Sequence, residues 1–131
     1  MKRYIAVLVA VIIACLAFAG LSGGMGAKPP AKNRILSVND IQADPAAFQG
    51  TVTINGVVSG FPKEDPKTFA IIDTAEAKLC RTVTCARFYL PVKYEGLAPK
   101  VGDEVNVTGE FMDKGRLFNA QKVEVLRHLS F

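Results

Sequence analysis

Thr51-Val52-Thr53-Ile54-Asn55-Gly56-Val57-Val58 decides how this chain folds. Side chains of a strand point alternately to its two faces, so Val52, Ile54 and Val58 share one side and Thr51, Thr53 and Asn55 the other. Gly56 falls on the apolar side, where a missing side chain permits a sharp bend or bulge. A second stretch, Glu104-Val105-Asn106-Val107-Thr108-Gly109-Glu110-Phe111, alternates in the same way after the turn Val101-Gly102-Asp103. Two long alternating strands, each carrying a glycine, predict a curved antiparallel sheet rather than helices.

Working outward, Pro62-Lys63-Glu64-Asp65-Pro66-Lys67 reads as a polar loop into a strand Thr68-Phe69-Ala70-Ile71-Ile72-Asp73. A third strand is predicted near Arg87-Phe88-Tyr89-Leu90-Pro91-Val92, with Phe88, Leu90 and Val92 on one side. Asp113-Lys114-Gly115 reads as a hairpin loop, and a last strand runs from about Arg116 to Leu126 with a register shift near Gln121-Lys122. Upstream, Ser37-Val38-Asn39-Asp40 fits a capping box for a short helix toward Ala43. Asp44-Pro45 restarts a turn that Gly50 closes. Five short strands and a closing hairpin suit a closed all-β barrel, which removes exposed sheet edges. A seven-stranded sandwich is the weaker fit.

The front of the chain is different. Lys2-Arg3 precedes an uncharged run from Tyr4 to Phe18, and Ala17-Phe18-Ala19 presents small residues where a signal peptidase cuts. Residues 1–21 therefore read as a signal peptide or membrane anchor, 22–34 as a Gly/Pro-rich linker, and 35–131 as the domain. Lipid attachment at Cys15 ranks last, because apolar residues follow it. Each variant places the domain in the periplasm or cell envelope, secreted or membrane-anchored through residues 4–21.

The 131 residues carry 16 Lys and Arg against 12 Asp and Glu. Setting Lys2 and Arg3 aside leaves a net charge of only +2. That small excess offers little counterion-release drive, so nucleic acid is disfavoured as a partner. An envelope protein or a small ligand is preferred.

The elements now carry a resemblance. A short capped helix, Phe48-Gln49-Gly50 leading into Val52, Ile54 and Gly56, then Gly102-Asp103-Glu104-Val105 with Val107 and Gly109, resembles the five-stranded OB-fold, a Greek-key barrel. More narrowly, residues 51–128 are similar in layout to the periplasmic haem chaperone of cytochrome c maturation. That comparison is carried by Val92-Lys93-Tyr94-Glu95-Gly96-Leu97-Ala98-Pro99, by Gly109, by Phe118-Asn119-Ala120, and by Val123-Glu124-Val125-Leu126-Arg127-His128. The resemblance implies an N-terminal membrane anchor, an OB barrel, and His128 as a haem-binding residue just past the last strand.

Residue by residue, His128 is the only histidine, and a neutral imidazole flanked by Leu129 and Phe131 suits a flat iron macrocycle. No cofactor is otherwise indicated. Cys80 and Cys85 enclose four residues, and in an exported chain they read as a structural disulfide pinning the loop between the second and third strands. They form neither Cys-x-x-Cys nor a recognisable metal set with one distant histidine. Arg81, Arg87 and Lys93 beside Tyr89 and Tyr94 form a candidate basic and aromatic stripe, of the kind that stacks and holds single strands. Arg87, Tyr89, Tyr94 and Phe131 are thus the candidate ligand or partner surface, flanked by loops 61–67 and 112–116. Asp73, Glu76 and Glu95 lack the spacing of an acid–base pair. No nucleophile triad or phosphate-cradling glycine loop is present. The expectation is a non-enzymatic exported binding module, handling haem in the manner of that chaperone. The alternatives are a protein-contact or structural envelope domain using the Cys80–Cys85 loop and, ranked below it, a nucleic-acid-binding OB domain.

Overall fold

A computed structural model describes residues 34–131. The expected signal or anchor segment and nearly all of the linker lie outside the described residues. Among the described residues no helix is long and apolar enough to cross a membrane.

The chain runs β1 (Ile35–Ser37), α1 (Val38–Ala43), a 3₁₀ turn (Pro45–Ala47), β2 (Val52–Gly60), β3 (Thr68–Ile72), α2 (Thr74–Cys80), β4 (Leu90–Tyr94), β5 (Asp103–Met112), a 3₁₀ turn (Asp113–Gly115) and β6 (Leu117–His128). β2 pairs antiparallel with β3 on one side and with β5 on the other. β3 pairs antiparallel with β4, β4 parallel with β6, and β6 antiparallel with β5. The circuit β2-β3-β4-β6-β5 returns to β2, so five strands close a barrel, mostly sheet and consistent with the OB-fold. The short β1 lies parallel to β2 along Thr53–Asn55, on the edge that β3 leaves free.

Alternation builds the core. Val52, Ile54, Val58, Phe69, Ile71, Leu90, Val92, Val105, Val107 and Phe118 fill the barrel with almost no solvent exposure. α1 adds Val38 and Ile41 to that core. Its capping box is complete: Asp40 N–H donates to Ser37 Oγ at 3.1 Å, and Ser37 N–H donates to Asp40 Oδ2 at 3.0 Å. Gly56 is what lets the helix approach, since a Cβ there would lie 2.9 Å from Ile72 O and 3.1 Å from Val38 Cγ2. On the outer face of β2 and β5, polar side chains pair in register, as in Thr53–Thr108 and Asn55–Asn106.

The predicted loop after β3 contains a helix instead. Asp73 caps α2 by accepting from Ala75 N–H at 2.9 Å, and Ala75-Glu76-Ala77-Lys78-Leu79 are good helix formers. Arg81 ends it in the left-handed region at φ 53°. α2 covers the outside of β2 and β3, so Val57 is buried against Ile72 and Ala77 although strict alternation points it to solvent. β4 also starts later than predicted. β3 offers register partners only from Thr68 to Ile71, which leaves Arg87-Phe88-Tyr89 without a ladder. The shift expected near Gln121-Lys122 is present: Thr108 faces Lys122 while Gly109 faces Ala120, so Gln121 is an extra residue. Leu126 is a second extra residue, between the Val105–Val125 and Glu104–Arg127 pairs.

Candidate functional site

The face of β4 and its lead-in divides the aromatic and basic residues into two groups. Phe88 and Tyr94 pack against the barrel core on the same side as buried Leu90 and Val92. Lys93 therefore projects the other way, while Arg87 and Tyr89 stand in the lead-in before the strand. The Arg87 side chain is 87% exposed, and Tyr89 is well exposed too. Four residues of chain put Lys93 at most about 14 Å from Tyr89. Between them Pro91 lies opposite Ala70 of β3, so the surface beside the tyrosine is low.

The structure thus brings Arg87 and Tyr89 together and separates Tyr94 and Phe131 from them. The Tyr94 ring lies over Gly96, where a Cβ would come within 2.5 Å of it. Phe131 borders a cleft with Lys78, Arg81, Leu129 and Ser130. Arg81 therefore also leaves the predicted stripe.

Local chemistry fixes the exposed group. Cys80 and Cys85 are joined in a disulfide with Cα atoms 6.1 Å apart. Thr84, inside that loop, accepts a hydrogen bond from Tyr89 Oη at its backbone oxygen, 2.8 Å away. Arg87 N–H donates to Glu76 Oε2 at 3.2 Å, and its guanidinium stands 3.9 Å from Glu76 Oε1. α2 and its disulfide thus position both residues. The helix was the missed element; its signal in the sequence is Asp73-Thr74-Ala75-Glu76, an N-cap followed by helix formers.

The neighbouring loop after β2 is ordered by Asp65. Its carboxylate accepts from Thr68 Oγ1 at 2.7 Å and from Lys67 N–H at 3.0 Å. Those two bonds, in that order, hold the Asp65 carboxyl below its usual value, aided by the charges of Lys93 and Lys67. Lys67 pairs with Glu95, whose hydrogen bond and charge push the ammonium above its ordinary value. Asp73 and Glu76 both accept from Asn39, through its N–H and its Nδ2 respectively, while Glu95 pairs with Lys67. From Arg34 onward twelve basic residues balance twelve acidic ones.

His128 is the last residue of β6, in register with Asp103, rather than a residue beyond the final strand. Its Nδ1 lies 2.8 Å from Asp103 Oδ1. Burial works to raise the Asp103 carboxyl, but hydrogen bonds from Lys100 N–H and His128, with the charges of both residues, hold it lower than usual. Leu129 N–H then donates to Gly102 O at 2.9 Å, tying the tail to the barrel. Beside this pair, Glu104 is nearly buried, with Arg127 Nε at 2.6 Å and Lys78 Nζ at 3.5 Å from its Oε2. Oε2 has no directed hydrogen bond, so its partners act as charges. Sequence reasoning missed this cluster, because neighbours at 78, 104 and 127 meet only in the fold.

No family model matches the chain, and no curated protein matches it. Among solved structures it is similar to the telomere capping protein Ten1 from Saccharomyces pombe, at 11% identity and a TM-score of 0.46, over 72% of this chain and 81% of that one. It is also similar to the S. pombe Stn1-Ten1 complex, at 11% identity and a TM-score of 0.47, over 74% and 82% of the two chains. The first is described as a telomere capping protein and the second as its complex with Stn1; neither is described as a haem chaperone. The expected haem-chaperone family is corrected accordingly, together with its periplasmic, cell-envelope placement.

Proposed function

We propose that the domain is a non-enzymatic binding module that takes a short single-stranded nucleic acid on the outward face of β4. The carrying observation is one exposed ring, Tyr89, in the lead-in to β4, between the cations Arg87 before it and Lys93 within the strand. A base stacks on the ring, and the two cations meet phosphates on either side. Net charge argued against this partner in the sequence, because it counts residues wherever they lie. The local arrangement concentrates two cations beside an aromatic, although each already has a carboxylate nearby, Glu76 for Arg87 and Asp65 for Lys93. Phosphates must displace those partners, so stacking rather than charge supplies most of the affinity.

Fluorescence anisotropy with labelled single-stranded DNA and RNA tests this. Tyr89→Ala should weaken binding by about 1–3 kcal/mol, the worth of one stacked base. The slope of log K against log salt should be shallow, about −1.4 for two phosphates on a single strand. Binding unchanged in Tyr89→Ala refutes the proposal. A second reading, a protein contact at the Cys80–Cys85 loop, is favoured by Leu79, which is 87% exposed beside the disulfide. Leu79→Asp separates the two: it should leave nucleic-acid affinity unchanged and abolish only a protein contact.

A further inference from the structure

β6 outruns its neighbour. It pairs with β5 from Leu117 to His128, but on its other side β4 pairs with it only at Phe118–Ala120. Among the described residues no other strand is paired with that edge from Gln121 to His128. The backbone groups there are free to pair, and the surface is apolar in part: Val125 is 51% exposed and Leu126 44%. Val123, by contrast, is half-buried against the core. The two extra residues, Gln121 and Leu126, bracket a regular run of four, Lys122-Val123-Glu124-Val125.

We infer that this edge pairs with the same edge of a second copy of the chain, antiparallel and centred on Val123. Alternation restricts the choice. Residues facing each other across a two-fold pair must share a face, so the axis passes through a residue and not between two. Centring on Lys122 sets lysine against lysine, and centring on Glu124 sets glutamate against glutamate. Centring on Val125 pairs Glu124 with Leu126 and leaves every charge unmatched. Centring on Val123 places Lys122 opposite Glu124 of the second copy, twice by symmetry. Within one chain these two already lie 3.6 Å apart on the same face, so the pairing completes an alternating quartet of charges. Strand addition of this kind takes its affinity from main-chain hydrogen bonds and its register from the side chains.

Sedimentation equilibrium of the full-length chain tests the inference, with circular dichroism to verify that each variant folds. The expected result is a monomer–dimer equilibrium that Glu124→Lys weakens about tenfold or more, because like charges then face each other. The charge-swapped double variant Lys122→Glu/Glu124→Lys should restore dimerisation, since the quartet is rebuilt with signs exchanged. A monomer at all concentrations overturns the inference. So does self-association indifferent to Glu124→Lys, which would place the contact elsewhere on the chain. Failure of the double variant to recover overturns the Val123-centred register. Neither Lys122 nor Glu124 belongs to the Tyr89 face, so nucleic-acid binding by these variants is read independently.

Discussion

Truncating Arg127 gives the sharpest test of how charge is held in this molecule. Glu104 has a side chain only 6% exposed, with Arg127 Nε at 2.6 Å and Lys78 Nζ at 3.5 Å. Coulomb attraction scales inversely with distance, so at equal screening Arg127 contributes about a third more than Lys78. Both cations are roughly half exposed, which reduces the net worth of each pair well below that of a fully buried one. Arg127→Ala should therefore destabilise by about 1.3 kcal/mol, and Lys78→Ala by about 1 kcal/mol. Removing both strands an unpaired carboxylate and should cost more than the sum. Thermal unfolding followed by circular dichroism reads this directly, since 1 kcal/mol moves the midpoint of a domain this size by roughly 4–8 °C. The control is Glu104→Gln, in which both truncations should become nearly neutral. If Arg127→Ala costs as much with glutamine at 104 as with glutamate, the stabilisation comes from packing of the arginine stem and the ionic account is wrong.

Three further outcomes are expected. Asp103 has a carboxyl held below its unfolded value near 3.9, so its contribution to stability is present above that pH and lost as acidity rises through the lower folded value. Asp103→Asn should flatten the acid side of the stability profile; an unaltered profile would show that the His128 and Lys100 contacts are not coupled to folding. Gly109→Ala should destabilise by about 1–3 kcal/mol, because its Cβ would fall 2.0 Å from Asn119 O where β5 crosses the Gln121 bulge; a neutral result in chemical denaturation would contradict this close approach. Cys80→Ser/Cys85→Ser closes no loop in the unfolded chain and should cost at most about 2 kcal/mol, the loop-entropy value for so short a ring. Its larger effect should be on Tyr89, whose hydroxyl bond to Thr84 is held by that ring, read as weaker anisotropy binding at unchanged barrel content.

Period-two patterning made the barrel legible wherever a strand has one dry and one wet face, as in Val52–Val58 and Glu104–Phe111. The capping box at Ser37 and the bulge near Gln121 were legible for the same local reason. Legibility ended where a second layer covers the sheet. Val57 is buried by α2, a fact not written in the strand that contains it, whereas the inward side of Tyr94 follows from Leu90 and Val92 by alternation. The candidate site was half legible: Arg87 and Tyr89 were read as exposed surface residues, but their supports, Glu76 and Thr84, depend on a helix taken for a loop and its disulfide-closed end. The resemblance put His128 just past the last strand, whereas pairing with Asp103 makes it the final residue of that strand.

α2 and the barrel are unequal in how they are held. The barrel closes through its own strand pairs around a large core, whereas α2 rests on a cluster of three buried residues, Val57, Ile72 and Ala77, helped by Val83, Ala86 and Leu129. No strand pairing depends on the helix, so the outer layer can detach while the circuit of strands stays shut. Its amides should then exchange with solvent at a free energy below that of global unfolding, and the residues that face Tyr89 would loosen with it. The molecule is thereby divided into a slow-exchanging cylinder and a lighter plate laid against its side, with the exposed tyrosine hinged to the plate.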